Sequence, residues 1–207
     1  MSRVRVKVCG VTRLEDALAA VDLGADALGF NFWPKSKRYC PPRVAQSIVA
    51  KLPPLTAAVG VFVNQPQAQI ERVVKSVGLQ AVQLHGNESP EFCAQFEVPV
   101  IKALAVADTA SLRAIKTYAV SAYLLDTPSR GYGGSGKAFD WSLLKWLDRR
   151  KLFILAGGLT PTNVARAVET VKPYGVDVAS GVESSPGIKD KRKMARFIAA
   201  AKEAKLR

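Results

Sequence analysis

Reactive side chains stand at the ends of short apolar segments in this 207-residue sequence. Asp126 closes the segment Ala122–Leu125, where a carboxylate is out of place unless it is paired or functional. Cys9 ends the segment Val4–Val8, and a cysteine there is either an inert packing residue or a reactive thiol. His85 follows a third apolar segment and either orients a substrate or caps the next turn. We take these three side chains as candidate site residues.

The alternation of residues around Cys9 predicts the direction of its side chain. In Val4–Cys9 the three valines face one way, whereas Lys7 and Cys9 face the other. The valines suit an apolar layer, so we expect Lys7 and Cys9 to point to the opposite, interior side. A buried lysine there needs a carboxylate, which Asp126 or Asp177 could supply. The ammonium group would also lower the pKa of the Cys9 thiol from its reference value of about 8.5.

Two short glycine-containing segments could bind an anion through their backbone. They are Gly157-Gly158 and Ser180-Gly181, which follow the seventh and eighth of the strands predicted below. Glycine lets the backbone approach an anion without a Cβ in the way, and N–H groups then donate to phosphate oxygens. The alternative is that both segments are merely tight turns between a strand and a helix. We favour phosphate binding, because barrel enzymes bind phosphate at these two positions.

Eight short segments rich in Val, Leu, Ile and Ala predict the strands that position these residues. Helix start signals lie between them: a capping box at Thr12-x-x-Glu15, a hydroxyl before proline at Ser89-Pro90 and Thr160-Pro161, and Asp140 before a further helix. The predicted strands are Val4–Cys9, Ala27–Phe32, Ala57–Val63, Ala81–Leu84, Val100–Ala105, Ala122–Asp126, Phe153–Ala156 and Val176–Ala179.

The alternation of strand and helix predicts a parallel sheet, since each helix returns the chain to the same edge. Eight such units predict an α/β fold of one domain, residues 1–207, in the form of a (β/α)8 TIM barrel. The alternative is an open doubly wound sheet, but no GxGxxG segment follows the first strand and no P-loop sequence is present. The C-terminal strand ends of a barrel carry its active site, so the candidate residues would meet there.

Composition and charge argue against several classes of protein. Three cysteines without a CxxC pair and a single histidine disfavour a disulfide framework or a zinc site. No apolar run approaches the roughly 20 residues that span a bilayer, and no targeting segment is evident, so we expect a cytoplasmic protein without membrane contact. The net charge of +13 suits solubility or attraction of an anionic metabolite. The basic stretches lack interleaved aromatic residues, so we do not expect nucleic-acid binding.

Short motifs along the whole chain, in the right order, resemble those of the phosphoribosylanthranilate isomerase family. Each motif alone is weak, but their combination is specific. The motifs are Lys7-Val8-Cys9-Gly10-Val11-Thr12, Phe32-Trp33-Pro34-Lys35-Ser36-Lys37-Arg38-Tyr39, Val61-Phe62-Val63-Asn64, Val82-Gln83-Leu84-His85-Gly86, Gly133-Gly134-Ser135-Gly136 with Phe139-Asp140-Trp141, Leu155-Ala156-Gly157-Gly158-Leu159, and Asp177-Val178-Ala179-Ser180-Gly181-Val182-Glu183 with Pro186-Gly187 and Lys189-Asp190.

The resemblance implies an Amadori rearrangement in tryptophan biosynthesis, from N-(5-phosphoribosyl)anthranilate to its 1-deoxyribulose 5-phosphate isomer. It implies Cys9 as general base, Asp126 as general acid and Arg38 as the partner of the anthranilate carboxylate. We further expect His85 and Asp177 to bind substrate, and the two glycine turns to bind its phosphate. Neither a metal nor an organic cofactor is expected, because the imine nitrogen of the intermediate accepts the electrons. The expected partner is a small-molecule substrate, and the expected state is a monomer or homodimer.

Some residues depart from the family pattern, and some alternatives stay open. Lys37 stands where proline is expected, and Ala179 where serine is common, but neither removes a proposed chemical role. The related histidine-synthesis isomerase would carry aspartate in place of Cys9. Indole-glycerol-phosphate synthase would be longer, with a lysine acid that this sequence does not place. A catalytically silent barrel that binds an anion or nucleic acid is a third alternative. The glycine-rich segment Arg130–Gly136 is either a surface loop or a lid.

Overall fold

Eight parallel strands close into a barrel in the computed structural model, which describes residues 3–128, 140–148 and 150–205. The strands follow one another around the barrel in chain order, and β1 pairs with β8 to close it. The predicted TIM barrel is therefore confirmed, and the open doubly wound sheet is wrong. Each strand end lies within one residue of its predicted position: β1 Arg5–Cys9, β2 Ala27–Asn31, β3 Ala57–Phe62, β4 Ala81–Leu84, β5 Val100–Ala105, β6 Ala122–Asp126, β7 Phe153–Leu155 and β8 Gly175–Val178.

The outer layer of helices is uneven around the barrel. Helices of two to four turns follow β1, β2, β3, β7 and β8, but α4 after β4 has a single turn, and 3₁₀ helices follow β5 and β6. The side of the barrel formed by β4, β5 and β6 is therefore covered by shorter elements. The helices are α1 Leu14–Asp22, α2 Pro42–Val49, α3 Gln67–Val77, α4 Pro90–Cys93, α5 Val164–Val171 and α6 Lys191–Glu203, and the 3₁₀ helices are Ser111–Lys116 and Trp141–Trp146.

The apolar core has an outer layer between strands and helices and a smaller layer inside the barrel. Val4, Val6 and Val8 belong to the outer layer, as their alternation predicted. The interior layer draws on β3, β5, β6, β7 and the residue after β7, and it lies below the polar groups at the strand ends. Its buried members are Val59, Ile101, Ala103, Ala122, Leu124, Ile154 and Ala156.

An additional hairpin separates β8 from the last helix. A 3₁₀ turn at Ser180–Val182 leads into two short antiparallel strands, β9 (Glu183–Ser185) and β10 (Ile188–Lys189). Gly187 adopts a φ of +84° between them, a conformation that glycine adopts without strain. The hydroxyl of Thr12 donates to the carbonyl of Gly187 at 2.6 Å, so the hairpin is anchored to the loop after β1.

Two of the four predicted helix starts are confirmed and two are wrong. Ser89 accepts from the Phe92 N–H ahead of α4, and Asp140 accepts from the Ser142 N–H ahead of the second 3₁₀ helix. Thr12 does not cap α1, because its hydroxyl bonds the hairpin instead. Thr160 does not start α5, which begins four residues later at Val164.

No helix in the described part of the chain is long and apolar enough to cross a bilayer. All three cysteines are buried free thiols.

Candidate active site

The predicted side chains meet in one cavity of about 510 Å³ at the C-terminal ends of the strands. It is lined by Cys9, Gly10, Asn31, Trp33, Lys35, Ser36, Lys37, Arg38, Val61, Val63, Gln83, His85, Asp126, Asp177, Ala179 and Pro186. Five predicted site residues are among them, from β1, β6 and β8 and from the loops after β2 and β4. The four predicted glycine-turn residues are not, although Gly157 lies close to Asp126 and Ser180 follows Ala179.

Cys9 shares the interior of the barrel with a buried ion pair. The Lys7 ammonium donates to Asp177 Oδ1 at 2.7 Å, which identifies Asp177 rather than Asp126 as the carboxylate that the buried lysine requires. Asp177 and Cys9 raise the pKa of Lys7 even though burial opposes the charged form. Gly29 on β2 makes room for this group: a Cβ there would lie 2.7 Å from Cys9 Sγ and 3.1 Å from Lys7 Nζ.

The expected direction of the Cys9 pKa is wrong. Burial raises the pKa of the thiol above its ordinary value, and the neighbouring charge of Asp177 adds to the rise. Lys7 and Lys189 lower the pKa, as a nearby cation must, but they do not outweigh burial. The sequence predicts the cation correctly but carries no measure of how completely the folded chain removes the thiol from water. Burial therefore disfavours the Cys9 thiolate, and the two ammonium groups offset only part of that effect.

Asp126 lies at the end of β6 beside His85. Its Oδ1 accepts from the N–H of Thr127 at 2.7 Å, and its Oδ2 is 3.5 Å from His85 Nε2. The other ring nitrogen of His85 lies 2.8 Å from the side-chain amide of Gln83, which is almost completely buried. His85 does not cap the turn after β4; the Glu88 carboxylate accepts from the Gly86 N–H instead. Of its two predicted roles, contact with the cavity is the one that the geometry fits.

Arg38 crosses Gly10 and pairs with Glu183. Its Nε and Nη2 donate to the two carboxylate oxygens at 2.9 and 2.7 Å. A Cβ at Gly10 would lie 2.5 Å from the Arg38 side chain, so glycine is required there. Two of the five guanidinium donors are used in this pair, which leaves the Nη1–Nη2 edge without an acceptor in the described residues. That edge can still donate two parallel hydrogen bonds to a carboxylate.

The two glycine turns pack against each other. Gly157 and Gly158 have positive φ values of +81° and +60°, and a Cβ at Gly181 would collide with the carbonyl oxygen of Leu159. Within the described residues, the backbone N–H groups of Gly158, Ser180 and Gly181 have no acceptor in the protein. These turns therefore offer backbone donors that an anion could occupy.

Sequence reasoning missed three residues that shape the site. Glu183 and Lys189 stand in the family motifs but carry no predicted role, because nothing in the sequence reveals that the hairpin folds back onto β1. Gln83 alternates with the outward-facing residues of β4, so its inward direction was available from the strand pattern. The glycine-rich segment Arg130–Gly136, for which a surface loop and a lid both stay open, lies outside the described residues.

The chain is similar in sequence to one family of enzymes over nearly its whole length. The sequence model of the family described as "PRAI: N-(5'phosphoribosyl)anthranilate (PRA) isomerase" matches residues 6–200. A protein named N-(5'-phosphoribosyl)anthranilate isomerase from Pelobacter propionicus is 50% identical over 202 residues, which are 97% of this chain and 96% of that protein.

Two solved structures share the fold and much of the sequence. The crystal structure of phosphoribosyl anthranilate isomerase from Thermotoga maritima is 50% identical, with a TM-score of 0.91 and coverage of 96% of this chain and 98% of that one. A second isomerase structure, in complex with reduced 1-(o-carboxyphenylamino)-1-deoxyribulose 5-phosphate, is 47% identical with a TM-score of 0.88 and the same coverage.

The pH dependence of Cys9 alkylation by iodoacetamide should give a pKa above that of an ordinary thiol. Lys7→Met should raise this pKa further. The reason is that the Lys7 ammonium lowers the pKa of Cys9, whereas burial and Asp177 raise it. Mass spectrometry of the Cys9 peptide as a function of pH measures the rate. Cys40 and Cys93, whose pKa values burial raises to about 11, serve as internal references. The control is Lys51→Met, because Lys51 is exposed. Equal alkylation profiles for Lys7→Met and Lys51→Met would contradict the interaction between the Lys7 ammonium group and the Cys9 thiol.

Proposed function

The chain belongs to the N-(5'-phosphoribosyl)anthranilate isomerase family, and we propose that Cys9 and Asp126 carry out the proton transfers of its reaction. It isomerises N-(5'-phosphoribosyl)anthranilate to 1-(2-carboxyphenylamino)-1-deoxyribulose 5-phosphate, an Amadori rearrangement in tryptophan biosynthesis. The observation that carries the proposed roles is that a buried thiol and a buried carboxyl group, from β1 and β6, line one cavity.

Asp126 is the proposed general acid of the first step. It protonates the ring oxygen of the ribose, the bond from that oxygen to C1 breaks, and the nitrogen lone pair forms the C=N bond of a Schiff base. The Thr127 N–H donates to Oδ1 of the carboxyl group, and His85 Nε2 lies 3.5 Å from Oδ2, so the acid is oriented before substrate binds.

Cys9 is the proposed general base of the second step. Its thiolate removes the proton from C2, the C–H electrons form the C1–C2 double bond, and the imine electrons move to nitrogen. The resulting enolamine then tautomerises to the ketone. The thiolate lies close to the ammonium group of Lys7, whose positive charge favours it and offsets part of the effect of burial. The electrons stay within the substrate throughout, so this route uses no metal and no organic cofactor.

The remaining groups of the cavity suit the two ends of the substrate. We assign the Nη1–Nη2 edge of Arg38 to the anthranilate carboxylate, because the other edge is held by Glu183. Lys35 and Lys37 line the same side of the cavity and add positive charge that attracts an anionic substrate. Asp177 keeps one oxygen on Lys7 and can accept from a sugar hydroxyl through the other.

The two glycine turns are the proposed phosphate site. Support comes from the N–H groups of Gly158, Ser180 and Gly181, which have no acceptor in the described part of the chain, and from the position of the turns after β7 and β8. We also propose that the protein works in the cytoplasm, as a monomer or homodimer; three free cysteines in the described chain suit a reducing compartment.

Cys9→Ala and Asp126→Asn should each lower kcat by roughly 10²- to 10⁴-fold, the range typical of a lost general base or acid. The loss of anthranilate fluorescence on consumption of freshly made phosphoribosylanthranilate measures the rate. Cys40→Ala, which removes another buried thiol outside the cavity, should keep the rate. If Cys9→Ala were as active as Cys40→Ala, the proposed base would be wrong.

Gly157→Ala should lower kcat by roughly 100-fold, because a small displacement of a catalytic group has a large effect on rate. Its Cβ would lie 2.9 Å from Asp126 Oδ1 and against Thr127. Gly78→Ala is the matched control: its φ of +77° is similar, but a Cβ there meets nothing within 4 Å. Both variants should lose about 1 kcal/mol of stability through the positive φ. Equal kcat values would show that Gly157 does not constrain Asp126.

Inorganic phosphate should inhibit competitively, and Gly181→Ala should raise its inhibition constant by about tenfold, equivalent to one charged hydrogen bond. The new Cβ would push the turn after β8 away from Leu159 and misdirect the N–H groups. Steady-state kinetics at several phosphate concentrations measure the effect, with Gly78→Ala again as control. Non-competitive inhibition would place the phosphate outside the active site.

A further inference from the structure

Lys189 lies behind the proposed base, in a position that the reaction does not use directly. It belongs to β10, and its side chain is completely buried. Its ammonium group has three acceptors: the carbonyl of Cys9 at 2.5 Å, Glu183 Oε1 at 2.9 Å and the carbonyl of Ala179 at 3.4 Å. All three N–H donors of the ammonium group are therefore engaged.

The three acceptors belong to three different parts of the site. Cys9 carries the proposed base, Ala179 starts the turn after β8 that we assign to phosphate, and Glu183 holds Arg38. The two carbonyls lie at the ends of β1 and β8, the strands that close the barrel. The Lys189 ammonium group thus connects the proposed base with the proposed phosphate turn. Through the Glu183 carboxylate, it is also connected to Arg38.

Glu183 makes this connection specific. Its carboxylate accepts from Arg38 through both oxygens, from the Gly187 N–H at 3.2 Å and from Lys189. Arg38 and Lys189 hold the pKa of this carboxyl group below its ordinary value although burial opposes the charged form. Loss of Lys189 would leave Arg38 as the sole cation on Glu183 among the described residues. The guanidinium group of Arg38 could then turn toward Glu183 Oε1, the oxygen that Lys189 had contacted.

A purely structural role is the alternative to consider. Buried ion pairs give little net stability compared with apolar packing of equal volume, because desolvation offsets most of the attraction. Stability alone therefore explains poorly why a charged group rather than a leucine or methionine fills this space. Its contacts with the backbone of the base and of the phosphate turn provide a functional reason.

We propose that Lys189 is a positioning residue that fixes Cys9, Arg38 and the Ala179 turn in one arrangement and stabilises the Cys9 thiolate. This proposal rests on the proposed role of Cys9. The charged groups that face the thiol are Lys7 from β1, Asp177 from β8, Lys189 from β10 and Arg38 from the loop after β2. Lys189 is the one among them that also bonds the Cys9 backbone.

Two substitutions of Lys189 test the proposal in the whole enzyme. Lys189→Met removes the charge and the donors, whereas Lys189→Gln removes the charge but keeps an amide that can donate to a carbonyl. Lys193→Met is the matched control, because Lys193 donates to the Glu183 carbonyl from the exposed start of α6 and is not among the charged groups that shift the pKa of Cys9. Thermal unfolding and circular dichroism establish whether each variant is folded. If Lys189→Met does not fold, the comparison of Lys189→Gln with the wild type tests the proposal.

We expect both Lys189 variants to shift half-maximal alkylation of Cys9 by iodoacetamide to higher pH and to lower kcat/KM by roughly 100-fold. Lys193→Met should match the wild type in both measurements. An alkylation profile of folded Lys189→Gln that coincides with that of Lys193→Met would overturn the proposal, even if activity fell. Alkylation needs no substrate, so this outcome is separate from failure of the proposed base, which full activity of Cys9→Ala would reveal.

Discussion

The ion pair between Lys7 and Asp177 lies where the first and last strands of the barrel meet. The two residues are also partners in the β1–β8 register, so the backbone pairing that closes the barrel and the side-chain contact specify the same alignment. A shift by one residue would turn every side chain of β1 to the other face, placing Lys7 against the apolar outer layer and Cys9 outside the cavity. The position of the base relative to Asp126 and Asp177 thus depends on this closure, and Gly29 provides the space for it.

The sequence predicts the strands and the cavity well because both follow from local patterns. Short apolar segments separated by amphipathic stretches mark the eight strands, and the alternation in β1 correctly turns Lys7 and Cys9 inward. Helix starts are less certain, because a hydroxyl such as that of Thr12 has a competing acceptor 175 residues away. No local pattern reveals such a competitor. For the same reason, the sequence does not show whether Asp126 or Asp177 pairs with Lys7.

Quantities that sum over the whole surroundings could not be predicted from sequence. The sign of the Cys9 pKa shift depends on the balance between burial and the charges of Lys7, Lys189 and Asp177, which come from three different strands. Burial prevails because the thiol, although it lines the cavity, is almost completely removed from water. Similarly, Glu183 and Arg38 are 145 residues apart in sequence. Only the fold therefore shows that Glu183 occupies one edge of the guanidinium group and leaves the Nη1–Nη2 edge for substrate.

The hairpin after β8 has a consequence for how the enzyme forms. Its contact between Lys189 and the carbonyl of Cys9 closes a chain segment of 180 residues, so a growing polypeptide can make it only after all eight barrel strands have been synthesised. Contacts between residues that are far apart in sequence are typical of slowly folding proteins. A nascent chain that has already formed most of its strands still lacks the lysine behind the base. The arrangement of the site around Cys9 therefore requires that the segment after β8 has been synthesised and has docked on the first strand.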